Sequence, residues 1–206
     1  MIIEKYLTGL LQVNTYLVVD EVTKKGFLVD PGGFSKKIAD EIYEKGYTLE
    51  YIILTHGHGD HIGGVEEFAK LHENTKIISS ELEKEMLSNA TLNFSRETCG
   101  RIVEIKPDIT VNENDTLTVG NLELKFIITP GHTTGGMSIL IGKFLFSGDT
   151  LFQQSIGRTD FPGGSFDEIK ASIRNKLFLL PEDTQVLPGH MGPTTIGFEM
   201  RNNPFV

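Results

Sequence analysis

The sequence predicts one α+β domain with two β-rich layers and helices packed outside them, and three observations lead there. Short β-branched and aliphatic runs recur along all 206 residues, helical apolar periods follow several of them, and 39% apolar composition is enough for a substantial core. No linker, fixed-period repeat or low-complexity segment divides residues 1–206, so a single domain is expected.

Residues 2–7, 13–20 and 26–30 are strand-like runs punctuated by Gly9, Gly26 and the turn Asp30-Pro31-Gly32-Gly33, which reads as an antiparallel start. Ser35 is placed to cap a helix reaching about Lys45, with Ile38, Ala39, Ile42 and Tyr43 on its apolar side and Gly46 ending it. Tyr51 to Thr55 is almost wholly apolar, the mark of a strand buried on both faces, and it runs straight into His56. After Gly63-Gly64 the period predicts a helix from Val65 to about His72 that buries Val65, Phe68 and Ala69, followed by a strand at Lys76 to Ser79. His72 reads as a helix-end histidine at the core margin.

Residues 80–107 open on a helix-like stretch, Glu81 to Leu87, and then lose any period, so they are expected to form a loop bordering a site. Short strands follow at Leu117–Val119, Leu122–Thr129, Met137–Ile141 and Phe144–Phe146. A helix from Phe166 to about Phe178 carries Phe166, Ile169, Ile173 and Leu177 as its core stripe, and Gln185–Leu187 is a last strand.

The bulk numbers exclude several functions. A net charge of −9 argues against nucleic-acid binding, which relies on clustered Lys and Arg. Cys99 is the only cysteine, so neither an internal disulfide nor a four-thiolate zinc site can form, and it lies far along the chain from every candidate ligand segment. The start, Met-Ile-Ile-Glu-Lys-Tyr, has no basic region ahead of an apolar run, and no stretch reaches membrane-spanning length, so a soluble, cytoplasmic protein is expected.

The chemistry is concentrated between Thr55 and Gly64, which read Thr-His-Gly-His-Gly-Asp-His-Ile-Gly-Gly. His56, His58, Asp60 and His61 would repel or desolvate one another in one turn unless a cation sat among them. Three further apolar strands end in a Gly-flanked His or Asp: Pro130-Gly131-His132, Ser147-Gly148-Asp149 and Pro188-Gly189-His190. Sites are assembled just past strand ends in layered folds, so the four segments can converge on one edge. Five His and two Asp are too many donors for one tetrahedral ion and suit two ions sharing a carboxylate.

In order and spacing, His56-x-His58-x-Asp60-His61 followed by His132, Asp149 and His190 resembles the signature of the metallo-β-lactamase superfamily, across nearly the whole chain. The resemblance implies a four-layer αββα sandwich, with His56, His58 and His132 on a first metal, Asp60, His61 and His190 on a second, and Asp149 bridging. It implies two divalent ions, with zinc expected and iron and manganese also suited to these ligands. The two ions would hold a bridging hydroxide for attack, with Asp60 as the catalytic group that takes or relays its proton.

The segment Gly148 to Gly164 narrows the resemblance to the single-domain, glyoxalase-II-like branch, the hydroxyacylglutathione hydrolase-like enzymes. That branch implies hydrolysis of a 2-hydroxyacyl thioester, a small molecule such as S-lactoylglutathione. In longer relatives a C-terminal helical domain contacts glutathione, whereas this sequence stops 16 residues after His190, so recognition of the thiol half is expected to be weaker, different or supplied by a partner chain. β-Lactamase activity is not expected, because the commonest subclass places a Cys where Asp149 stands. Arg158 matches a basic position of the branch, where it would hold a substrate carboxylate or else pair with Asp160 or Asp167; Tyr16 reads as a strand-packing residue. Two other classes remain: a mononuclear-iron persulfide dioxygenase, whose relatives share the Gly157-Arg-Thr-Asp-Phe161 run, and a non-catalytic metal-binding module.

Overall fold

The computed structural model describes every residue from Met1 to Val206. Strands β1 (Ile2–Thr8), β2 (Val13–Val19), β3 (Lys25–Val29), β4 (Thr48–Ile53), β5 (Lys76–Ser80) and β6 (Ile109–Val111) form one sheet in that order. The first three are antiparallel, as the short Gly-punctuated connections anticipate, and β3 to β6 run parallel. Parallel neighbours need crossovers, which α1 (Lys36–Glu44) supplies before β4, and α2 (Gly59–Ile62) with α3 (Val65–Ala69) before β5. Helices α4 (Lys84–Leu87) and α5 (Ser95–Cys99) precede β6.

The second sheet contains β7 (Thr116–Val119), β8 (Leu122–Ile128), β9 (Met137–Ile141) and β10 (Phe144–Gly148) as an antiparallel run. A small hairpin, β11 (Leu151–Phe152) with β12 (Ser155–Ile156), and α6 (Phe166–Asn175) follow. The chain then returns as β13 (Gln185–Pro188), parallel to β10, with β14 (Thr194–Thr195) at the edge and α7 (Ile196–Asn202) last.

Side-chain parity turns two sheets into four layers. On β2, Tyr16 and Val18 point between the sheets, while Leu17 and Val19 point the other way, onto the helices. Phe27 and Val29 of β3 and Ile53 of β4 join Leu124, Phe126, Ile139 and Phe146 of the second sheet in the middle core. Outside the first sheet, Leu28 and Ile52 meet Ile38 and Ile42 of α1, Ile62 of α2, and Val65 and Phe68 of α3. Beyond the second, Ile127, Leu145 and Val186 meet Ile169 and Ile173 of α6 and Ile196 of α7. Three separate cores make the αββα sandwich, each fully buried Leu, Ile or Phe contributing roughly 2 kcal/mol of transfer free energy.

Several local expectations need correction. Ser35 occupies the N-cap position of α1 but its side chain makes no capping bond, whereas Ser165 caps α6 through Glu168 N. Tyr43 is 87% exposed, because the α1 stripe is the narrow Ile38 and Ile42 pair. Helix α3 ends at Ala69, short of His72, where Lys70 and Leu71 find no buried face to extend. Phe166, the first residue of α6, is exposed ahead of the Ile169 and Ile173 stripe. The period also overran the end of α6, since Leu177–Leu179 form a separate 3-10 turn. Neither α7 nor the β11–β12 hairpin was anticipated.

Hydrogen bonds stitch the two sheets together at both ends of the sandwich. At one end Asp20, after β2, accepts from Thr23 Oγ1 and from Asn121 N and Nδ2 in the β7–β8 turn. These donors, Thr23 foremost, pull its carboxyl down to about 2. At the other end, buried Glu83 accepts from Gly57 N with one oxygen, and from Gly135 N and the Thr133 hydroxyl with the other. Burial pushes the Glu83 carboxyl above the usual range, while the three donors pull it back. Asn14 and Tyr16 of β2 reach across to the end of β13: Tyr16 Oη donates to Pro188 O at 2.8 Å, and Asn14 Nδ2 to Pro188 O and Met191 O. Tyr16 packs edge-on against Phe146, so it is both a packing residue and an anchor.

Two predictions follow from this stitching. Glu83→Ala strands three buried donors and should lower the unfolding free energy by about 2–4 kcal/mol in urea titrations followed by circular dichroism, and a loss under about 0.5 kcal/mol would show the bridge to be dispensable. Asp20, whose folded carboxyl titrates below its unfolded value of about 3.9, stabilises above that pH and loses the contribution as pH falls toward about 2. The melting-temperature gap between the wild type and Asp20→Asn should therefore be constant from about pH 8 to 5 and narrow below about pH 4.

Candidate metal centre

Four strand ends deliver the predicted donors to one edge of the sandwich. From the first sheet, β4 leads into Thr55 and His56, and α2 turns Asp60 and His61 back toward it. From the second, β8 runs into Pro130-Gly131-His132, β10 into Asp149 and β13 into Gly189-His190. All seven predicted residues come together, and all but the half-buried His190 and Asp149 are buried as whole residues.

The donors fall into groups. Ligand atoms of His56, His58 and His132 lie within 4.8 Å of one another, as do those of Asp60, His61 and His190, and those of Asp30, His56 and His61. Asp149 stands between the first two: its Oδ2 is 3.7 Å from His132 Nε2 and 3.7 Å from His190 Nε2, and its Oδ1 is 3.5 Å from His61 Nε2. Asp60 Oδ2 is 3.2 Å from His190 Nε2. His58 Nδ1 and His132 Nε2 are 2.9 Å apart, a spacing tolerable only if one is protonated or both face a cation. Close approach also dictates glycine at 189, where a Cβ would lie 2.4 Å from Asp149 Oδ1 and 2.6 Å from His61 Cε1.

The outward face of each ring fixes the inward one. Asp30, just past β3, accepts from Thr55 N and the Thr55 hydroxyl, and its Oδ2 takes His61 Nδ1–H at 2.9 Å. With its proton committed to Asp30, the Thr55 hydroxyl can only accept from His56 Nδ1–H, at 3.1 Å. His132 Nδ1–H donates to Arg158 O at 2.7 Å. Three imidazoles are thus held with Nδ1–H outward and Nε2 toward the cluster, the usual arrangement behind metal-binding histidines. Asp30 was read from sequence only as part of a turn, and nothing local in Asp30-Pro31-Gly32-Gly33 marks its contact with His61, 31 residues on.

Burial and the neighbouring imidazoles push His56 well below its ordinary range, and burial lowers His58 to about 3, so both are neutral donors. Burial would raise Asp149 and Asp60, but His61 and the other imidazoles beside them hold both carboxyls below the usual range. Burial would lower His61, yet Asp149, Asp60 and Asp30 around it raise it well above the usual range. The fit to metal shows in the buried atoms left without any hydrogen bond: His56 Nε2, His58 Nε2, His61 Nε2 and Asp149 Oδ1. Each such orphan costs about 1–3 kcal/mol, and cations among them would satisfy the set.

A cleft of about 440 Å³ opens on the cluster, with His58, Asp60, His132, Asp149 and His190 as its floor. The stretch 80–107 does border it, through Phe94 and Thr98. Arg158 lines the cleft and pairs with Asp160, one of the two carboxylates the sequence offered it; Asp167 is not its partner. Cys99, remote along the chain, is close in space: its thiol donates to Gly59 O at 2.9 Å, and burial raises its pKa. His72 lies away from the site, beside β4 and β5. No helix is long and apolar enough to cross a membrane.

The family model for the metallo-β-lactamase superfamily matches residues 8–190. The chain is 38% identical to "Probable metallo-hydrolase YqgX" of Bacillus subtilis, over 96% of this chain and 94% of that one. It is 36% identical to "Hydroxyacylglutathione hydrolase GloC" of Haemophilus influenzae, over 95% and 93%. Among solved structures, BLEG-1 B3 metallo-β-lactamase superposes with a TM-score of 0.91 at 38% identity, covering 99% of each chain. A di-iron-bound form of TTHA1623 gives 0.84 at 30% identity, covering 98% of this chain and all of that one. Fold, donor cluster and sequence agree that the chain belongs to the metallo-β-lactamase superfamily.

Proposed function

We propose that the chain is a metal-dependent thioester hydrolase that cleaves a 2-hydroxyacyl thioester such as S-lactoylglutathione to a hydroxy acid and a free thiol. The observation that carries this reading is the convergence of seven donors into two groups of three with Asp149 between them, at the floor of a cleft. The name of the Haemophilus relative supports the reaction class. In this reading His56, His58 and His132 would hold one ion and Asp60, His61 and His190 the other, with Asp149 placed between the two groups.

Two divalent ions bound there would acidify a water toward neutral pH and polarise the thioester carbonyl. The protein's own part is positional and acid–base. Asp30, Thr55 and the Arg158 carbonyl hold the rings with Nε2 inward. Asp60, lining the cleft beside His61 and His190, is the carboxylate placed to take the proton of the attacking water. The water oxygen bonds to the carbonyl carbon, the C–S bond breaks, and the departing sulfur takes the proton held by Asp60 and leaves as the thiol. Zinc is the proposed ion, and the di-iron-bound relative makes iron the alternative to weigh.

A second reading, β-lactam hydrolysis, draws support from the 38% identity to BLEG-1 B3 metallo-β-lactamase over 99% of the chain. Thiol release from S-lactoylglutathione, measured with a thiol dye beside nitrocefin turnover and oxygen uptake on glutathione persulfide, separates the candidates. Thiol release with neither of the other signals is expected, and nitrocefin turnover or oxygen uptake without thiol release would overturn the proposal.

Elemental analysis of the purified protein should find two divalent ions per chain. Asp149→Ala should reduce metal content and lower kcat/KM by about 100-fold or more, and unchanged metal content and turnover would remove the basis of the site. Asp60→Asn should lower kcat by about 10²–10⁴-fold, the range for losing a general base.

A further inference from the structure

The walls of the cleft differ in chemistry from its floor. Above the His and Asp cluster the lining is Leu11, Phe94, Phe152, Ile156, Phe161 and Met191, with Thr98 and Ser155 the only uncharged polar side chains. Arg158 is the one Lys or Arg among the lining residues. Its guanidinium is already engaged on two sides. Nε and Nη2 donate to the two carboxylate oxygens of Asp160 at 2.7 and 2.6 Å, a bidentate pair that fills this edge of the guanidinium. Its flat face lies over the Phe161 ring, with Cζ 3.9 Å from the ring centroid.

Phe161 stacks in turn against Phe94, ring centroids 4.9 Å apart. Phe94 holds a left-handed backbone, φ 55, a conformation that carries strain for a bulky side chain. The arrangement is therefore a continuous stack, Phe94 on Phe161 on Arg158, capped by Asp160, along the cleft.

Such a wall recognises an apolar or aromatic group and offers little to an anion. A substrate carboxylate approaching Arg158 finds only the Nη1 side of the guanidinium open, next to the Asp160 carboxylate that already neutralises its charge and would repel a second anion. Glutathione brings two carboxylates and an ammonium, and no other Lys or Arg of the lining is available for them.

We propose that the thiol arm of the substrate is uncharged and apolar, so that the chain hydrolyses 2-hydroxyacyl thioesters of small neutral thiols in preference to those of glutathione, with Asp160 the residue that sets this choice. The inference rests on the thioester-hydrolase reading above and narrows its substrate.

The test uses the metal-loaded protein and three esters with the same lactoyl group, on glutathione, on N-acetylcysteamine and on benzyl mercaptan, with thiol release followed by dye. The benzyl mercaptan ester should show a kcat/KM at least about tenfold above that of the glutathione ester, with the difference mainly in KM. Asp160→Asn, at an exposed position, removes the carboxylate charge beside Arg158 and should narrow that gap several-fold by lowering KM for the glutathione ester. Phe161→Ala should remove most of the benzyl preference. A wild type that prefers the glutathione ester, or a preference that Asp160→Asn and Phe161→Ala both leave unmoved, would overturn the inference while leaving thioester hydrolysis intact. Failure to hydrolyse any of the three would instead overturn the thioester reading, and this inference with it.

Discussion

Five imidazoles and two carboxylates packed within a few ångströms form the constraint on which the rest of the molecule depends. Rings with centroids 4.1 to 4.9 Å apart, as His56 lies from His61, His58 and His132, cannot be left to choose their own tautomers. The surroundings choose for them. Asp30 takes the outward N–H of His61 and the hydroxyl proton of Thr55, Thr55 takes that of His56, and the Arg158 carbonyl takes that of His132. Three of the five rings are thereby turned with Nε2 inward, and a cation is the partner this cluster suits.

That constraint reaches into the fold through the seam between the sheets. No single sheet carries the whole donor set, so the middle core of Tyr16, Phe27, Ile53, Phe126 and Phe146 must bring both to a common edge before the site exists. Strand β2 does this twice. Its apolar residues fill cores on both faces, and its Asn14 and Tyr16 hold the Pro188 to Met191 turn that presents His190. Glu83 does the equivalent for the other side, tying Gly57, between His56 and His58, to Thr133 and Gly135 beyond His132.

What could be read from sequence and what could not follow from the range of the interactions. Strands Tyr51–Thr55 and Phe144–Phe146 were legible because burial on both faces leaves an unbroken apolar run, and a glycine next to a His or Asp at each strand end marked the donors. Helix limits were less so: period alone ran on from Ala69 to His72 because Leu71 kept the rhythm while lying partly exposed. Asp30, Glu83 and Asn14 carry no local mark at all. Their partners lie 25 to 177 residues away, and an Asp in a turn, a Glu in a helix-like run and an Asn in a strand look alike whether they meet solvent or a ligand loop.

The placement of the donors on opposite sides of the seam has a mechanical consequence. Donor spacing within each group is set by the offset of one sheet against the other: His132 comes from the second sheet into a group with His56 and His58, and His190 into a group with Asp60 and His61. A slide or hinge of the sheets would change those distances before it disturbed either sheet internally. Ions held there would act as rivets through a two-leaf structure, so their affinity would measure how rigidly the leaves are registered as much as how good the ligands are.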